Sequence, residues 1–341
     1  MKTGGQRINC EKWAIDDDIL KKKIKDSFRI AIENSNVKLP QNIWLEEIDN
    51  GIKMSLSPEA IGRSQDKILN MQDNAAAFEG WAAAIYTHYL GPMNSKDSIK
   101  RKIILGSQEK LYDTQSTDEN QGHLNRFLFR AMKFSEEYSD WIELDSNLQV
   151  IVGNFKKWYE KENLINNEPS KNRNQKAVIL NNPTTESEVE QSFVGDGSLM
   201  QKLLSRANMK SEQIFRQLPV GLFKGEVVKK NSVFTGGKSA IDMWAVDDEY
   251  IALFELKTNN KMIGIITELF FYSQYVNDVF IRQNNIQCTK LEDKKIKAFF
   301  LTNGLHPLIT KKVIEVLNNS NKNKDVITYA DIQYDLCMKL L

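Results

Sequence analysis

The segment Tyr250-Ile-Ala-Leu-Phe-Glu-Leu-Lys-Thr258 carries a glutamate and a lysine two residues apart at the end of an apolar run. Side chains of an extended strand alternate between its faces, so Ile251, Leu253, Glu255 and Lys257 share one face and Ala252, Phe254 and Leu256 the other. Both faces begin apolar, which predicts a central strand buried on both sides. A carboxylate and an ammonium at the end of such a strand are costly unless they are paired or bind something, because burial disfavours each charged form. Asp242 stands in the preceding apolar segment, Ile241-Asp-Met-Trp-Ala-Val246, and the short turn Asp247-Asp248-Glu249 lets the two segments pair. Carboxylates converging at one sheet end offer hard oxygen ligands of the kind that hold Mg²⁺ together with a substrate phosphate. A lysine on the same side is placed to act on an attacking water and to offset charge developing on a phosphoryl group. Asp242, Glu255 and Lys257 are therefore the candidate catalytic residues for hydrolysing a phosphodiester. Asp242 and Glu255 are the candidate metal ligands, and Mg²⁺, with Mn²⁺ as a substitute, is the expected cofactor.

An acidic-x-Lys triplet arises easily by chance in a chain with 45 acidic residues, so its setting carries the weight. Asp242 on an apolar strand, a short turn, Glu255-Leu256-Lys257 and a following amphipathic helical run together resemble the PD-(D/E)xK nuclease superfamily, with its restriction-endonuclease-like fold. The resemblance covers about residues 184–341, including the order of elements. It implies that the Leu256 carbonyl adds a metal ligand, that Lys257 positions the water, and that a glutamate on the helix before the sheet completes the site. Glu190 is the best match for that glutamate, with Glu186, Glu188 and Glu226 as competitors. Tyr272, Gln274 and Tyr275 lie where the superfamily often has Gln and Tyr near its site, without its usual spacing, and Ile241 stands where a proline is common. The function implied is a Mg²⁺-dependent DNA nuclease, an endonuclease in restriction or anti-phage defence, with RNA as another possible substrate. The alternatives are a non-catalytic nucleic-acid-binding or assembly protein on the same fold and a nuclease subunit active only with a partner.

Charge supports a polyanionic partner locally. Between Leu199 and Lys238 stand eight basic residues, among them the candidate nucleic-acid contacts Lys224, Lys229, Lys230 and Lys238, against the two acids Glu212 and Glu226. Over the whole chain 46 basic residues meet 45 acidic ones, so net charge gives no such indication. Gly237-Lys238-Ser239 lacks the first glycine of a phosphate-binding loop and precedes a strand rather than a helix. His306 lies in a loop that could reach a phosphate, and Phe270, Phe271, Tyr272 and Tyr275 have the helical spacing of core residues.

The elements that must position the site follow from periodicity. Thr185-Glu186-Ser187-Glu188 has the form of a capping box and starts a helix carrying Glu190. Strands are expected at 220–228, 240–246, 250–258 and 296–302, with helices at 263–280 and 307–318. That order predicts an α/β (α+β) fold, a restriction-endonuclease-like mixed sheet flanked by helices. The N-terminal part is expected to be mostly helical, with an apolar helical pattern from Ile19 to Ile32 and runs at 74–90, 121–138 and 146–161. It also holds a small hairpin turning at Asn50-Gly51.

A length of 341 residues suggests two domains. Residues 1–165 are the expected recognition, partner or regulatory domain, through which a protein partner or a homo-oligomer would form. The Asn- and Pro-bearing stretch 166–183 is the linker, with Ala177 to Leu180 as a candidate edge strand, and 184–341 is the nuclease domain. No apolar stretch is long enough to span a membrane, and the start lacks the apolar core of a signal peptide. Three scattered cysteines (Cys10, Cys288, Cys337) fit a reducing compartment, and the expected location is the cytoplasm.

Overall fold

The computed structural model describes residues 15–33, 37–64, 67–91, 101–111, 121–167, 183–235, 239–282, 286–287, 291, 293–335 and 337–341. The first helix, α1 (Asp18–Ile32), is capped by Asp17, whose carboxylate accepts from the Ile19 and Leu20 amides. It buries Leu20, Ile24 and Phe28, four residues apart. β1 (Ile43–Ile48) and β2 (Gly51–Leu56) pair antiparallel about the expected Asn50-Gly51 turn. Gly51 has φ +149°, and a Cβ there would lie 1.9 Å from the Lys102 carbonyl oxygen. Then come α2 (Pro58–Ile61), α3 (Phe78–Ile85), which runs on through a π turn to Leu90, and β3 (Lys102–Ser107). They are followed by α4 (Gln121–Glu137), β4 (Ile142–Leu144), α5 (Ser146–Lys161) and β5 (Leu164–Asn166).

The N-terminal part is less helical than its periodicity predicts. β3 adds parallel to β2 and β4 parallel to β3, so the hairpin is the edge of a four-stranded mixed sheet in the order β1-β2-β3-β4. These strands are short and joined by long crossovers, so no local turn chemistry marks them in sequence.

The C-terminal part opens with α6 (Glu186–Gly195) and α7 (Gly197–Arg206), followed by β6 (Phe215–Pro219), β7 (Leu222–Lys224), β8 (Ala240–Val246) and β9 (Tyr250–Lys257). After them come α8 (Gly264–Val276), extended by a π turn over Asn277–Arg282, β10 (Ile286–Gln287), β11 (Lys295–Thr302), α9 (Lys311–Asn319) and β12 (Ile327–Gln333). Five strands form a mixed sheet in the order β12-β11-β9-β8-β6, parallel from β12 to β9 and antiparallel from β9 to β6. The strand expected at 220–228 is broken. Its first part joins β5 and β10 as β7 in a separate three-stranded sheet, and the chain turns at Gly225, where φ is +75°. The capping box is present as expected: the Thr185 hydroxyl accepts from the Glu188 amide, and the Glu188 carboxylate accepts from the Thr185 amide. The architecture is α+β with mixed sheets.

The two faces of β9 divide as the alternation predicts. Ala252, Phe254 and Leu256 pack under α6 and α7 with Val189, Phe193 and Leu203. Ile251 and Leu253 face the other way, into a larger core shared with α8 and with the N-terminal helices and sheet. That core draws on both sides of residues 168–182, which hold most of the expected linker and the edge-strand candidate and lie outside the described residues. Every residue of α8 is buried. Gly80 lets α3 approach the start of α8, where a Cβ would lie 2.7 Å from the Ile263 carbonyl oxygen, and Gly264 of α8 lies against the segment before α3, where a Cβ would lie 1.9 Å from the Gln72 carbonyl oxygen. A buried pair joins the same elements. Arg130 of α4 donates to Glu79 of α3 at 2.7 and 2.5 Å, and Thr267 of α8 donates to Glu79 at 2.8 Å.

Candidate active site

Antiparallel pairing places Met243 opposite Phe254, which brings Asp242 of β8 alongside Glu255 of β9 on the face covered by α8. The ladder changes there, and Asp242 Oδ2 accepts the Leu256 amide at 2.8 Å. The Lys257 ammonium is buried and held on three sides. It donates to Glu255 Oε1 at 2.8 Å and to the Leu256 carbonyl at 3.1 Å, and it pairs with Glu268 of α8 at 2.9 Å. Glu186 of α6 lies 4.0 Å from it, at the more open side of the site. The end of β9 is fixed by Tyr334, whose hydroxyl bonds the Thr258 hydroxyl at 2.7 Å and the Lys257 carbonyl at 3.3 Å.

The electrostatics are those of crowded carboxylates. Burial pushes the Asp242 carboxyl up to about 7, with Glu190 and Glu268 adding to the effect and Lys257 opposing it. Burial also raises Glu255 well above the usual carboxylate range, reinforced by Asp242 and Glu268. Burial acts against the Lys257 ammonium, but Glu255, Glu268, Asp242 and Glu186 outweigh it and hold its pKa above that of an ordinary lysine. Asp242, Glu255, Glu268 and Glu186 thus surround a single cation. Glu255 Oε2 is buried without a hydrogen-bond partner among the described residues.

This donor set suits a divalent cation in chemistry: hard oxygens in excess over one ammonium, with Glu255 Oε2 and Glu268 Oε2 lacking hydrogen-bond partners among the described residues and only the second ion-paired, to Lys257. The side chains are not grouped for ligation, since no three His, Cys, Asp or Glu residues are so arranged among the described residues. The reason is visible in the contacts, because Glu255 Oε1 and the Glu268 carboxylate are both turned onto Lys257.

The candidates for a further acid separate clearly. Glu190 faces the site but is clamped by Arg216 at 2.8 Å and by the Gln217 amide at 3.1 and 3.2 Å. Gln217 reaches it from a left-handed conformation, φ +56°, at the point where the β6–β8 register skips Asp242. Glu188 is occupied by the capping box, Glu226 is exposed, and Glu186 is the acid on α6 nearest Lys257.

Of the basic candidates, Lys224 pairs with Glu162 at 3.1 Å. Lys229 and Lys230 are exposed on a short turn, and Lys238 lies outside the described residues, as does most of the Gly237-Lys238-Ser239 motif. Tyr272 lies on the site side of α8, where Glu255, Glu268 and Asp242 act on it. Tyr275 instead donates to the Gly221 carbonyl. His306 is half-buried with its ring edge-on to Trp81, and its Nδ1 accepts the Leu308 amide, so it shapes its own loop.

Glu268 is the residue that the strand pattern alone does not reveal. Its signal lies in α8, where it is the only charged residue of the run Gly264–Val276 and stands one turn before Tyr272. Among the described residues no helix is long and apolar enough to cross a membrane. No family model, curated protein or solved structure matches the chain.

Proposed function

We propose that the chain is a metal-dependent nuclease of the PD-(D/E)xK kind, hydrolysing phosphodiester bonds of DNA. One observation carries this reading: Asp242, Glu255 and Lys257 converge at the end of two adjacent strands, in a cluster where carboxyl groups outnumber the single ammonium. Asp242, Glu255 and the Leu256 carbonyl would hold Mg²⁺ or Mn²⁺, with Glu186 or Glu190 as the further acid. When bound, the cation supplies Lewis-acid stabilisation of charge on the phosphoryl oxygens. Lys257 stays protonated, so it serves as a fixed hydrogen-bond donor rather than a base, orienting water and offsetting negative charge on the phosphate. Lys229 and Lys230 lie exposed for backbone phosphates. The fold assignment and a role in defence against foreign DNA rest on the resemblance. A cytoplasmic setting accords with the free, exposed thiol of Cys337.

A second reading, a nucleic-acid-binding or assembly protein without catalysis, is favoured by the saturation of Lys257 by its neighbours. Incubating purified protein with plasmid, linear duplex, single-stranded DNA and RNA in Mg²⁺, Mn²⁺ or EDTA separates the two. The nuclease reading expects cutting that EDTA abolishes, with DNA preferred. Binding without cutting under every metal favours the second reading.

A further inference from the structure

The loops that follow β9 and β11 stand at the carboxyl ends of two parallel strands, where Lys257 lies opposite Thr302. Crevices outside the carboxyl ends of parallel strands are where open α/β sheets take their ligands. Here the two loops are fastened to each other. Asn259, in a left-handed conformation at φ +54°, donates its amide to Asn303 Oδ1 at 2.9 Å, and Asn303 Nδ2 donates to Asn259 Oδ1 at 2.8 Å. The second loop is also anchored from below. Leu308 is buried, its amide donates to His306 Nδ1 at 3.2 Å, and its carbonyl accepts from His88 Nε2 at 3.1 Å.

Charge on this crest is one-sided. Residues 258–263 and 303–312 contain Lys261, Lys311 and Lys312 and no acid. All three lysines are exposed, and none of their ammonium groups has an ion-pair or hydrogen-bond partner among the described residues. Lys261 lies across Gly304, where a Cβ would meet its Cε at 2.9 Å and its Nζ at 3.5 Å. Lys311 and Lys312 occupy the first turn of α9, where the helix dipole opposes a cation, so helix stability does not account for them. The first acid of α9, Glu315, comes one turn later, and Asp335 in the loop after β12 is committed to the Cys337 and Lys339 amides. Lys261 follows Lys257 by four residues, so their Cα atoms are at most about 14 Å apart. That is well inside one turn of a DNA duplex, roughly 34 Å. Unpaired cations on a rigid rim beside the carboxylate site match a polyanion whose charges repeat along a chain.

We propose that this crest is a nucleic-acid-binding surface, in which Lys261, Lys311 and Lys312 contact backbone phosphates that flank the one at Lys257. Its partner is a DNA duplex lying across the carboxyl ends of β9 and β11. Contacts to phosphates fix position and orientation and confer no sequence preference of their own. That the phosphate at Lys257 is cut rests on the nuclease reading, whereas the binding surface does not.

The test compares the full-length wild type with Lys261→Gln/Lys311→Gln/Lys312→Gln and with a control of equal charge change, Lys22→Gln/Lys157→Gln/Lys161→Gln, on exposed lysines of α1 and α5. Anisotropy of a short labelled duplex is followed in EDTA over a range of salt concentrations, beside melting temperatures and cleavage in Mg²⁺. The crest variant is expected to melt like the wild type and to bind on the order of 100-fold more weakly near 0.1 M salt, with the salt slope reduced by nearly three. The control should keep the wild-type affinity and slope. Single variants at the three crest lysines, each lowering the slope by about one, carry the test if the triple variant does not fold. A crest variant that binds like the wild type, a control that loses as much, or a wild type that binds no duplex overturns the proposal. Cleavage absent from every protein, with binding lost only from the crest variant, overturns the nuclease reading and leaves the surface standing.

Discussion

Lys257 gains its role from what surrounds it. Glu255 and Glu268 face its ammonium from a strand and a helix, so its charge is fixed and its position defined. Glu268→Gln keeps the size of that side chain and removes one of the two charges. Cleavage is expected to fall roughly 10- to 100-fold with little change in melting temperature, as for other residues that orient a metal site from behind. Measuring single-turnover rates and melts together checks it, and an unchanged rate contradicts it. His306 illustrates the opposite case, a titratable residue with a structural task. Burial holds it at about 4, down from 6.5, so the unfolded chain takes up a proton that the folded one refuses. Stability from this group is complete above pH 6.5 and is lost as the pH falls towards 4, by about 3 kcal/mol. His306→Asn can still accept the Leu308 amide but cannot titrate, so the drop in melting temperature between neutral and acidic pH should shrink. An identical slope in the variant would rule out this origin.

At the level of elements, α8 is the part on which the site and the core both depend. Its start packs against the Gln72 backbone with no room for a side chain, and its only charged residue holds Lys257. Gly264→Ala is expected to destabilise the protein by about 3 kcal/mol, because the new methyl meets a carbonyl rather than a movable side chain. Chemical denaturation would show it as a lower midpoint at constant slope, and an unchanged midpoint would refute the packing described. These elements were legible in sequence to unequal degrees. The β8–β9 hairpin and the α6 capping box are built from neighbouring residues, so their turn and cap chemistry stands in the chain itself. β3, β4 and β12 pair in parallel with strands far away in sequence, and nothing local announces such pairing. Asp242, Glu255 and Lys257 were legible because alternation along two adjacent strands brings them together. Glu268 was not, since its position follows from how α8 packs against the sheet.

For the molecule as a whole, the buried core makes the two halves interdependent. α3 and α8 are buried along their lengths and lie against each other, and the Arg130, Glu79 and Thr267 network crosses the same junction. A fragment of residues 1–165 would expose the apolar faces that α8 and α9 cover. Expressed alone, it should lack a cooperative thermal transition by circular dichroism, and a sharp one would show that this half folds independently. The most direct test of the central claim is single-turnover cleavage of supercoiled plasmid in Mg²⁺ by the wild type, Lys257→Ala and Glu255→Gln, with folding of each verified by its melt. The wild type is expected to nick or linearise the plasmid, and each folded variant to be slower by roughly 10²- to 10³-fold or more. Variants that cut at the wild-type rate, or a wild type that does not cut, would contradict the account.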